Sequence, residues 1–110
     1  MAILAFLGAV SVTGGAQRIL GLALSGTRVE SFYLSPKSGP LPLNLKLFSR
    51  PVSGAAAMTQ IGATVAAPTA SGSRIDVRAP VEWLEAVVDA PAGTGCLVDV
   101  YLTSGMESDF

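Results

Sequence analysis

The sequence predicts an all-β fold: one single-domain antiparallel β-sandwich or jelly-roll-like barrel of roughly six to eight short strands over residues 1–110. Three observations predict it. Leu41, Leu43, Leu45 and Leu47 alternate with Pro42, Asn44, Lys46 and Phe48, the side-chain period of a strand with one apolar face. Cys96, Val98, Val100 and Leu102 alternate in the same way with Leu97, Asp99, Tyr101 and Thr103. Clusters of Gly, Pro and Ser separate the apolar runs every ~8–14 residues, the punctuation of many short strands.

Taken in order, residues 1–12 (MAILAFLGAVSV) are the most continuous apolar run. The run is far shorter than the ~20 residues of a membrane-spanning helix. No Lys or Arg precedes Arg18, so it lacks the basic start of a signal peptide. A buried strand is the remaining reading. Thr13, Gly14 and Gly15 mark a turn, and residues 16–24 a second strand with Gly21 as its bulge. Ser25, Gly26 and Thr27 read as another turn, residues 28–34 as a strand, and residues 35–40 (SPKSGP) as a polar loop. Pro42 places the Leu-rich strand 41–48 at a strand start or sheet edge, because it cannot donate a ladder hydrogen bond.

Residues 54–57 (GAAA) allow a helical turn, whereas 58–65 (MTQIGATV) read as a strand broken by Gly62. Arg74 to Arg78 alternate, with Ile75 and Val77 inward. Residues 81–88 admit two readings. Val81, Leu84 and Val88 share a helical face after Pro80, yet Trp83, Val87 and Val88 favour a strand. In the strand reading, residues 80–102 form a central hairpin closed by Ala90, Pro91, Ala92, Gly93, Thr94 and Gly95. The tail 104–110 is acidic and ends in Phe110, a side chain able to dock into a neighbour's apolar pocket.

Composition narrows the function. Half the residues are hydrophobic and 14% are charged, against about 25% in ordinary domains. A chain this apolar is not disordered, and it has more apolar surface than a small monomer hides, so a partner or second copy is expected to cover some of it. The chain has no His, which removes Ser-His-Asp and Cys-His catalysis and the commonest metal ligand. The single Cys96 allows no intrachain disulfide or thiolate cluster and reads as a small buried hydrophobe. No nucleotide-binding loop occurs, and the basic residues are too scattered for a nucleic-acid stripe. The expectation is a non-enzyme with no cofactor and no metal, bound to neither nucleic acid nor membrane.

Charge is segregated along the chain. Arg18, Arg28, Lys37, Lys46, Arg50 and Arg74 face only Glu30 in residues 1–75. Asp76, Glu82, Glu85, Asp89, Asp99, Glu107 and Asp109 face only Arg78 in the remainder. Either the two portions interleave and neutralise each other, or opposite-sign faces meet between copies.

Segments such as SVTGGAQRI and DAPAGTGCLVDVYLTSG, in an Ala/Gly/Val/Thr-rich chain without His, resemble the small β-sandwich decoration (cement) proteins of tailed-bacteriophage capsids. The resemblance spans most of the chain. It implies a structural virion protein on the capsid surface, assembled in the host cytoplasm, often as a trimer, with the major capsid protein or other virion proteins as partners. A phage tail or head–tail joining component is the nearest alternative. A carbohydrate-binding sandwich with Trp83 or Tyr101 as stacking platform is another. The residues expected to make partner contacts are Ile3, Leu4, Phe6 and Leu7 in the first strand and Glu107, Asp109 and Phe110 in the tail.

Overall fold

A computed structural model describes residues 2–38, 44–51, 57–66, 72–91 and 95–104. The expected residues Glu107, Asp109 and Phe110 lie outside this set, as do Leu41, Leu43 and the possible helical turn at 54–56. The described chain is all β, with six strands in one antiparallel sheet. They are β1 (Ala2–Val12), β2 (Gly15–Ser38), β3 (Asn44–Arg50), β4 (Thr59–Ala66), β5 (Ser73–Ala90) and β6 (Cys96–Ser104). Their order across the sheet is β1-β6-β2-β5-β3-β4.

Two long strands organise everything else. The first part of β2 pairs with the last part of β5, from Gly15 opposite Ala90 to Ala23 opposite Trp83. The rest of β2 pairs with the first part of β5, from Thr27 opposite Val81 to Leu34 opposite Ser73. β6 joins only the second half of β2, at residues 31–38, and carries β1 on its outer side. β3 joins only the second half of β5, at residues 83–89, and carries β4. The ribbon therefore belongs to two four-stranded layers: β1, β6, β2 and β5 in one, and β2, β5, β3 and β4 in the other.

The layers close on a single core. Val12, Val29, Phe32, Leu45, Leu47, Leu84, Val88, Val98 and Leu102 are fully buried in one cluster drawn from both. A thickness of 21 Å accommodates two sheets about 10 Å apart with their outer side chains. Counted by layer, the six strands act as eight segments, the arrangement of a jelly-roll-like sandwich.

The ribbon changes layer where its ladder slips. Between Ala23 and Thr27, β2 carries extra residues, with Ser25 and Gly26 at positive φ (51° and 81°). Between Val29 and Ser31 the slip is on the β5 side, where Arg78 has φ of 51°. Strands that switch sheets do so at such bulges. Ser25 to Thr27 are thus a corner inside β2 and not a chain reversal, and Pro80 sits beside the matching corner of β5 instead of starting a helix. Residues 81–88 are strand.

Three further expectations are corrected. Ser35 to Ser38 form strand and not loop, paired with Asp99, Val98 and Leu97 of β6. The bulge in the first part of β2 lies at Ile19, between Arg18 and Leu20, while Gly21 keeps register with Glu85. This bulge explains why Ile19 and Leu20 are buried in succession. Finally, β5 and β6 are not a hairpin, because β2 lies between them. β5 ends at Ala90 in one layer and β6 begins at Cys96 in the other, and the turn at 13–14 likewise joins β1 in one layer to β2 in the other. Gln17 secures that end: its amide donates to the Ser11 carbonyl (2.6 Å) and its carbonyl accepts from the Thr13 N–H (3.2 Å).

Candidate interaction surface

β1 is an edge strand, and its bulges decide which side chains it shows. The register slips between Ile3 and Ala5 and again between Leu7 and Val10, with Ala9 at φ of 54°. The first slip turns Leu4 and Ala5 together toward the core, against which both pack half-buried. Ile3, Phe6 and Leu7 are left 58%, 59% and 41% exposed. Three of the four first-strand residues singled out from the sequence therefore share an open apolar edge, and Leu4 faces inward. At the far end of β1, the Ala9 N–H donates to Asp99 Oδ1 (2.8 Å), which fixes the second bulge.

An aromatic row crosses the outer face beside this edge. Phe6 stands opposite Tyr101, Tyr101 opposite Tyr33, and Tyr33 opposite Arg74, one residue from each strand of that layer. The Tyr33 and Tyr101 rings stack with centroids 4.7 Å apart and planes 11° apart, and Phe6 leans on Tyr101 at 6.5 Å. A cleft of about 450 Å³ opens next to the row, lined by Tyr33, Leu34, Ser35, Gly72, Ser73, Arg74 and Tyr101. Gly72 is its tight point: with φ of 101°, a Cβ there would lie 2.9 Å from the Leu34 carbonyl oxygen. Tyr33 and Arg74 join the site only through register between strands distant in sequence, so periodicity along the chain gives no sign of them.

The outer face of the other layer holds a buried carboxylate. Glu85 Oε1 accepts from Trp83 Nε1 (2.9 Å) and from Arg50 Nε (3.0 Å), with Arg18 3.7 Å away. Gly21 makes room for this group, since a Cβ there would lie 3.1 Å from the Trp83 ring and 3.2 Å from Arg18. Burial pushes the Glu85 carboxyl up, but the hydrogen bonds from Trp83 and Arg50 and the charges of Arg50 and Arg18 outweigh it and hold it below its ordinary value. The Trp83 N–H is engaged and its ring half-buried, so the row around Tyr101 offers the more open aromatic surface. Cys96 is buried, and desolvation pushes its thiol up.

Charges from the two portions of the sequence meet within the chain. Arg50 and Arg18 reach Glu85, Lys37 lies 4.0 Å from Asp99, and Glu30 accepts from Arg78 at 3.1 Å. The two portions thus interleave at these pairs.

No protein-family model and no curated protein matches the sequence. Among solved structures, one from Bacillus endospore appendages, described as a novel family of disulfide-linked pili, superposes with a TM-score of 0.56 at 18% identity. That match covers 94% of this chain and 88% of the other, and at this identity it is a likeness of fold. A structure of infectious bursal disease virus, Gx strain, matches more loosely, with a TM-score of 0.44 and 8% identity over 91% of this chain and 31% of that one.

Proposed function

We propose that this chain is a structural subunit of a larger assembly: a virion protein that decorates or cements a tailed-phage capsid by burying apolar surface against neighbouring shell subunits. One observation carries the reading: Ile3, Phe6 and Leu7 stand exposed on an edge strand of a domain whose other large apolar side chains are mostly buried. An apolar patch on a strand edge is a contact awaiting a neighbour. The fold likeness to a pilus subunit supports the broader part, an assembly-forming sandwich, and the resemblance to decoration proteins supports the capsid. A protein that binds only the assembled lattice stabilises that state by mass action.

The test is cosedimentation with capsids using the variant Ile3→Ser/Phe6→Ser/Leu7→Ser. These side chains lie outside the core, so the variant folds, as circular dichroism will show. It is expected to lose particle binding by at least about tenfold, from lost apolar burial of a few kcal/mol. A folded variant that binds as the native chain does would refute the role of this edge. A second reading, glycan recognition, is favoured by the cleft beside Tyr33 and Tyr101. It requires that Tyr101→Ala abolish retention on a glycan array, and a native chain that binds no glycan ends it.

A further inference from the structure

Among the described residues, the two-layered sheet has four open strand edges, and they are not alike. The first half of β5 contains Arg74, Asp76, Arg78 and Pro80, and the first half of β2 contains Arg18. Charged side chains and Pro are the devices by which proteins prevent edge-to-edge pairing. The other two edges are β1 (AILAFLGAVSV) and β4 (TQIGATVA), which contain no charged residue and no Pro. Among the described residues, each has a ladder neighbour on one side only. They stand at opposite ends of the strand order.

Each of these edges also has a bulge, and the bulges mark which stretch is open. On β1, Ala5 to Leu7 keep regular register, while farther along Asp99 and Gln17 engage the Ala9 N–H and the Ser11 carbonyl. On β4, Thr59 to Ile61 are regular up to the slip at Gly62, whose φ is 70°. Met58, just before them, is 47% exposed, an apolar side chain on this edge to meet those of β1.

We infer that β1 of one copy pairs edge to edge with β4 of the next, so that the chain self-associates head to tail. One such contact covers both unguarded edges, whereas a β1–β1 dimer leaves every β4 open. A heterologous contact of this kind closes into a ring or extends as a row, according to the rotation per subunit. The inference rests on the assembly reading above but assigns the β1 edge to another copy of this chain, so that in a row only the terminal β1 is left to face a shell subunit.

Two variants test it. Leu7→Lys places a charge on β1 and Gln60→Lys places one on β4, both at exposed positions, and near-ultraviolet circular dichroism checks their folding. By analytical ultracentrifugation, the native chain is expected to grow in mass with concentration and each variant alone to stay monomeric. The two mixed are expected to form dimers and nothing larger, because one free β1 and one free β4 remain. A Gln60→Lys chain that still dimerises alone overturns the proposal in favour of β1–β1 pairing, and a mixture that stays monomeric overturns it outright. Failure here is separable from failure of the capsid reading: a native chain that binds capsids yet is monomeric at every concentration in solution overturns self-pairing alone.

Discussion

Glu85 is a side chain whose role is set by its neighbours in the fold and not by its spacing in the chain. In sequence it is one of two carboxylates three positions apart on opposite strand faces, with nothing to set it apart. In the fold it is the acceptor for Trp83 and Arg50, and it is buried because it sits on β5 between β2 and β3. Hydrogen bonds to a charged acceptor contribute about 1.5–3 kcal/mol, whereas Arg18, more than half exposed, adds little. Glu85→Gln is therefore expected to lower stability by about 1–3 kcal/mol at neutral pH. Because the folded carboxyl titrates below its ordinary value of 4.5, this contribution is complete above that pH and is lost as pH falls through the lower folded value. Urea unfolding of both proteins between pH 7 and pH 2 measures it. The difference between them should hold down to about pH 5 and shrink below 4.5; a gap that is constant into strong acid would mean that Glu85 is not ionised in the fold.

At the scale of elements, strand identity was legible and pairing was not. Alternation placed Leu45, Leu47, Ile75, Val98, Val100 and Leu102 inward, and all six are buried. The corner of β2 read as a turn because Ser25 and Gly26 are turn residues wherever they occur, and Pro80 at the corner of β5 suited a helix start equally well. Only the partner strand distinguishes a bend between layers from a reversal. The supposed hairpin failed for the same reason: Pro91 and Gly95 flank a layer crossing as readily as a tight loop. Central and edge strands also differ in how they open. Amides of β5 from Trp83 to Asp89, flanked by β2 and β3, are expected to exchange with deuterium at rates approaching global unfolding, and those of β4 and the start of β1 far faster in dilute solution. Uniform protection across all six strands would contradict this pairing order.

For the whole molecule, sequence yielded the fold class, whereas residues 1–12, read as a buried strand, form an edge strand that leaves Ile3, Phe6 and Leu7 exposed. The aromatic row and the contrast between guarded and unguarded edges were hidden, since both depend on which distant segments lie side by side. The same non-locality sets the folding rate. Ladders joining Ala2 to Ser104 and Gly15 to Ala90 must close long loops before they gain anything. Refolding followed by Trp83 fluorescence is expected in the millisecond-to-second range of all-β domains, and microsecond refolding would be incompatible with these ladders. There is a further consequence for how the chain is made. β1 is synthesised well before β6, its only ladder partner among the described residues. At ~5–20 residues per second, the stretch from Val12 to Cys96 takes roughly 4–17 s to synthesise. For that interval the most continuous apolar run of the chain stands without the strand that pairs with it, open to contacts the finished fold excludes.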